Sequence, residues 1–162
     1  MEKKSLSFSY LEFDSADELP APDRELLDRA KNVVDSAYAP YSHYRVGAAV
    51  RMRNGNIITG SNQENMAFPS GLCAERVALY AAASANPSVP VEAIAITARS
   101  EQFRVDEPVP PCGSCRQAMI EYEMYSHQKI RVILMGEYGK VLVIESMEAL
   151  LPLSFKEDGL KK

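Results

Sequence analysis

The chain has 162 residues, 46% of them apolar, with 22 acidic against 18 basic side chains and a formal net charge of −4. That size suits one domain whose core buries roughly 70% of the unfolded chain's surface, and the negative balance excludes a partner held by phosphate neutralisation, such as nucleic acid or an anionic membrane surface. No apolar run approaches the roughly 20 residues of a membrane span, no signal peptide opens the chain, and three cysteines cannot pair completely, so the expectation is a cytoplasmic protein of one domain over 1–162.

The first twenty residues are acidic and lack clear periodicity, which predicts an N-terminal arm or edge strand over 1–20. Pro22 then stands just inside a helical pattern in which Leu26, Leu27, Ala30, Val33, Val34 and Ala37 form one apolar stripe. Pro40 ends it. Val46–Met52 and Asn56–Gly60 read as strands flanking Asn54-Gly55, a hairpin signal in which both turn positions take positive φ. A polar loop, Ser61–Ser70, leads to a helix that starts near Leu72 or Cys73 and closes at Asn86-Pro87. Val91–Thr97 is β-branched and reads as a strand, and a proline-rich loop ending at Pro111 delivers the chain to a second helix from Cys112 to about Tyr125. Lys129–Met135 and Lys140–Glu145 are two further strands; a short helix, Met147–Leu151, precedes a charged tail at 156–162. The order α-β-β-α-β-α-β-β-α predicts an α/β fold: a three-layer α/β/α domain with a mixed five-stranded sheet and helices on both faces.

The three cysteines all fall at expected helix N-termini, where free N–H groups and the helix dipole favour thiolates. Cys73, Cys112 and Cys115 therefore form a candidate zinc site with three protein ligands, which leaves a fourth position open as in catalytic rather than structural sites. Glu75, two residues beyond Cys73, brings a carboxylate near the metal without being needed as a ligand, the placement of a proton shuttle. Two plainer readings compete. Cys112-Gly-Ser-Cys115 alone is the pattern of a thioredoxin-like redox pair, which leaves Cys73 and Glu75 unexplained. A closed structural zinc site would need His43 or His127 as a fourth ligand, and neither has a ligand-like spacing.

Cys73-Ala74-Glu75-Arg76 and Pro111-Cys112-Gly113-Ser114-Cys115-Arg116-Gln117 resemble the two zinc signatures of the cytidine deaminase family, in its small homotetrameric form with three cysteine ligands. The resemblance extends through Tyr38–Ala49, Asn62-Gln63-Glu64-Asn65 and Leu150–Phe155, and runs from about Arg24 to Asp158. It implies one zinc ion per chain on Cys73, Cys112 and Cys115, and Glu75 as the residue that moves protons while hydroxide attacks C4 of the pyrimidine and ammonia departs. It further implies Arg76 hydrogen-bonding the thiolates, Asn62 and Glu64 gripping a ribose hydroxyl, and Tyr44 and Ala74 at the substrate. Phe155 would pack at a neighbouring subunit's site. Three positions depart from the family pattern: Tyr44 stands for a phenylalanine, Phe68 for a tyrosine and Pro110 for a serine. The implied activity is deamination of cytidine and 2′-deoxycytidine in pyrimidine salvage, with a nucleoside as the small-molecule partner. A deaminase of a cytosine-containing antibiotic such as blasticidin S, and a three-cysteine metal or redox sensor without turnover, stay open.

Overall fold

The structure is a computed structural model that describes residues 1–161. Six strands, β1 (Leu11–Phe13), β2 (Tyr44–Met52), β3 (Ile57–Ser61), β4 (Val91–Ser100), β5 (Arg131–Met135) and β6 (Val141–Ile144), form one sheet in the order β1-β6-β5-β4-β2-β3. Only β4 and β5 run parallel, and the helix between them, α3 (Gly113–Ser126), is the crossover that parallel pairing requires. Helix α1 (Ala21–Val33) covers one face of the sheet, while α2 (Ala74–Ala85) and α3 cover the other. The three layers are those expected. The sheet has six strands rather than five, because the acidic arm contributes β1, which pairs antiparallel with β6 and is tied by an ion pair between Glu12 and Lys140.

Successive residues of the central strands alternate between the two helical layers. In β4, Ala93 and Ala95 face α1 while Ile94 and Ile96 face α2 and α3; in β2, Ala49 faces α1 while Ala48, Val50 and Met52 face the other way. Both faces are buried, so β4 shows no polar alternation. Its weak pattern in the sequence has that cause. Gly60 in β3 lets α2 settle closely, since a Cβ there would meet the Ala78 backbone nitrogen at 2.5 Å.

The β2–β3 hairpin corrects one expectation. Among the described residues of the turn, only Gly55 has positive φ, at 87°. Gly55 N–H donates to the Met52 carbonyl and Met52 N–H to the Asn56 carbonyl, so the loop has three residues with glycine in the left-handed position, not a two-residue turn with two such positions. The loop after β3 is also more ordered than a polar loop suggests. Gln63 bridges to both Tyr38 and Leu72, and Phe68–Ser70 forms a 3₁₀ turn. The short helix near the C-terminus is a 3₁₀ turn over Met147–Leu150. Of the charged tail at 156–162, Lys162 lies outside the described residues.

Candidate active site

Helices α2 and α3 present their N-termini to the same point. Cys73 is the N-cap of α2, Cys112 the N-cap of α3, and Cys115 sits in the first turn of α3. The Cys112 and Cys115 sulfurs are 3.4 Å apart and those of Cys73 and Cys112 3.8 Å apart. All three lie within 4.8 Å of one another, with neither histidine among them. His43 lies instead 3.7 Å from Glu101, and His127, at φ 51°, caps the C-terminus of α3. Bonds of about 2.3 Å in a tetrahedral arrangement need sulfurs roughly 3.8 Å apart, so the donor set fits zinc. A hydrogen bond from Cys115, aided by Arg76 and Cys112 against partial burial, brings the Cys73 thiol down to about 5. The same pairing, together with burial, pushes Cys115 up. The lowering at Cys73 favours the thiolate, the form that binds zinc. Arg76 Nη2 stands 3.9 Å from the Cys73 sulfur, while its Nε is buried without a partner.

Glu75 is only 4% exposed, and its Oε2 has no hydrogen-bond partner. Burial raises its pKa, and the charge on Cys73 adds to the rise. Glu75, Cys73 and Cys112 share the wall of a cavity of about 460 Å³, within the range of small-molecule sites. Among the described residues no lysine or arginine lines it.

Other residues singled out by sequence divide into three groups. Tyr44, Asn62 and Glu64 stand on the cavity wall, as do Phe68 and Pro110. The Tyr44 phenol is raised by burial and by the Glu75 charge, so it stays neutral. Asn62 spends most of its amide on β2, accepting from Val46 N–H at 2.8 Å and donating to the Tyr44 carbonyl at 2.9 Å. Glu64 accepts from the Tyr41 and Ser42 amides at 2.9 and 3.3 Å. Partial desolvation pulls its pKa up, but these bonds, the Ser42 hydroxyl and nearby His43 prevail and hold it below the ordinary carboxylate range. Ala74 is fully buried and does not line the cavity. Phe155 is away from this chain's cavity and 68% exposed.

Two residues of the second signature have roles that sequence reasoning missed. Arg116 donates to the Pro111 carbonyl at 2.7 Å and the Leu150 carbonyl at 2.8 Å. The Gln117 amide clamps the Phe155 backbone on both sides, accepting its N–H at 3.2 Å and donating to its carbonyl at 3.1 Å. Their sequence signal was adjacency to Cys115.

The family model for the cytidine and deoxycytidylate deaminase zinc-binding region matches residues 20–129. The chain belongs to this deaminase family. It is 37% identical over 139 residues to the cytidine deaminase of Halalkalibacterium halodurans, covering 85% of this chain and 98% of that one. It is 35% identical over 136 residues to that of Sporosarcina psychrophila, covering 84% and 93%. The crystal structure of the cytidine deaminase from Burkholderia pseudomallei superposes with a TM-score of 0.70 at 38% identity, over 81% of this chain and 97% of that one. That from Mycobacterium tuberculosis gives 0.66 at 26% identity, over 85% and 100%. The family is a zinc-binding one, and the cysteine cluster is a donor set that could hold such an ion; no helix among the described residues is long and apolar enough to cross a membrane.

Proposed function

We propose that this chain hydrolytically deaminates cytidine and 2′-deoxycytidine, releasing ammonia, with one zinc ion held by Cys73, Cys112 and Cys115. The observation that carries the reading is Glu75: a buried carboxylate with one unpartnered oxygen, on a cavity wall beside three clustered sulfurs. A sensor without turnover has no use for that arrangement. Zinc, when bound, supplies a Lewis acid that makes water acidic near neutral pH. Glu75 takes one proton of the attacking water at Oε2 and passes it to pyrimidine N3. It then takes the remaining proton from the new C4 hydroxyl and passes it to the departing amine, one carboxylate serving in turn as base and acid. Arg76, with the two helix N-termini, draws electron density from the sulfurs and offsets their excess negative charge. Tyr44 offers an aromatic face to the base, and Glu64 accepts from a sugar hydroxyl alongside the remaining N–H of Asn62.

The substrate is a nucleoside rather than a nucleotide. The cavity wall carries two glutamates and, among the described residues, no cation. Arg45, next to Tyr44 in β2, is engaged by Glu101 and the Ala37 carbonyl. Phe155 and Phe68, 68% and 77% exposed, support a homotetramer in which subunits complete one another's sites. Three unpaired thiols fit the reducing cytoplasm, and pyrimidine salvage is the setting for such an activity.

Ammonia release from cytidine, deoxycytidine, cytidine monophosphate and blasticidin S, with metal analysis alongside, tests the reading. The expected result is about one zinc per chain, turnover of the first two, and joint loss of zinc and activity in Cys112→Ser. Equal kcat/KM for cytidine and its monophosphate would overturn the nucleoside assignment, and turnover of blasticidin S alone would replace the substrate.

A further inference from the structure

The loop that leads from β4 to Cys112 carries near its start an exposed aromatic, Phe103, which belongs to none of the motifs that carry the family resemblance. Its ring lies over that of Tyr44, with centroids 6.0 Å apart and planes inclined by only 22°, an offset stack. Tyr44 lines the cavity and Phe103 does not. The two rings are brought together by the sheet itself. Tyr44 pairs with Ser100, the last residue of β4, and Phe103 follows three residues later.

Fixed points hold this turn on both sides. Upstream, Glu101 donates its N–H to the His43 carbonyl at 3.4 Å, and its carboxylate is held by Arg45 at 3.1 Å; Gln102 N–H donates to Ser100 Oγ at 3.1 Å. Downstream, Arg104 lies 5.2 Å above the Tyr138 ring, and the buried Val105 accepts at its carbonyl from Glu137 N–H at 2.7 Å. The ring is 58% exposed, sits on a short turn anchored at both ends, and stacks on Tyr44.

We propose that Phe103 is a positioning residue that backs the Tyr44 ring from outside the cavity, so that Tyr44 presents a fixed aromatic face to the pyrimidine. The proposal rests on the nucleoside deaminase reading. Phe103 touches no reacting atom. Its removal therefore acts on binding and leaves the chemical step alone. An unsupported Tyr44 samples other rotamers, and the base loses a wall that was in place before binding. The stack completes as three layers: Phe103, Tyr44, base.

The test compares Phe103→Leu, Phe103→Tyr and Phe103→Trp with the parent chain. Phe103→Leu keeps apolar bulk but removes the ring, and should raise KM for cytidine about 3-fold to 10-fold, the equivalent of one aromatic pair, with kcat within about 2-fold. Phe103→Tyr should restore the parent KM. Phe103→Trp introduces the chain's only tryptophan, and its emission should change as uridine, the product, fills the cavity. A separate readout needs no nucleoside. NMR of ring-labelled tyrosine, with Tyr44 assigned through Tyr44→Phe, should show an upfield ring shift that disappears in Phe103→Leu. Parent-like KM in Phe103→Leu, or an unchanged Tyr44 ring shift, would overturn the proposal. A parent chain that neither binds uridine nor turns over any nucleoside refutes the deaminase reading instead, and the Tyr44 shift tells that failure from the absence of the stack.

Discussion

Two carboxylates in this protein are equally inaccessible, on opposite faces of one sheet. Asp23 in α1 and Glu75 in α2 are each 4% exposed. Asp23 is answered: Arg131 reaches one oxygen at 2.7 Å and Arg51 the other at 3.3 Å, tying α1 to β5 and β2. Glu75 has a bare oxygen, and the charge of neighbouring Cys73 adds to the rise that burial gives its pKa. Depth is thus no guide to function, and the partners are. A buried acid with cations on both oxygens holds elements together, while one with a bare oxygen is placed to exchange protons in the proposed reaction.

Exchanging each acid for a neutral side chain should separate the two roles. Glu75→Gln should lower kcat by about 10⁴-fold, the upper end for a single acid–base group, while zinc content persists and Tm stays level or rises. Retention of a tenth of the parent kcat would place Glu75 outside the chemistry. Asp23→Ala should do the reverse, costing about 3 kcal/mol in denaturant unfolding. That is the lower end for breaking a buried pair, because Arg51 keeps Glu92 and Arg131 keeps Glu145. Its kcat, measured on folded protein, should stay within about 2-fold. Equal melting of the two variants would erase the distinction.

Smaller effects sharpen the contrast between holding and reacting. Gln117→Ala removes the clamp on Phe155 and should raise KM about 3-fold, with faster hydrogen exchange in the C-terminal segment, provided Phe155 reaches a neighbour's site as proposed; two partly exposed hydrogen bonds account for an effect of this size. The smallest concerns Glu64. Its depressed pKa means that the folded state binds the proton less readily than the unfolded chain. The resulting stability is full above the ordinary carboxylate value near pH 4 and is lost as pH falls through the depressed one. The Tm difference between parent and Glu64→Gln should therefore shrink on acidification, and a difference that widens would reverse the sign.

The cysteine cluster was legible before any coordinates because its chemistry is local: three thiols at helix N-termini and an acid two residues on. Helix and strand positions were legible where one face is apolar, as in α1, or where β-branched residues run together, as in β4. What escaped has a common cause, dependence on partners far along the chain. The acidic arm was legible as an arm or an edge strand but not as which of the two, because β1 exists only against β6. Asn54-Gly55 signals a hairpin but not which loop closes it, since that follows from the register of β2 against β3. Gln117, Phe103 and Asp23 carry no motif of their own. Their meaning lies in Phe155, in Tyr44, and in Arg51 with Arg131.

The arm that supplies β1 also has a bearing on solubility. The family match begins at residue 20, so Leu11–Phe13 lies outside the shared domain. Without it, the edge of β6 would stand open, and Val141-Leu-Val-Ile144 is uncharged, apolar and strongly β-forming. An uncovered strand of that kind is a template for adding strands from other molecules, which is how sheets seed aggregates. A version without residues 1–19 would keep β6, every cysteine and Glu75, yet it would be the more prone of the two to leave solution.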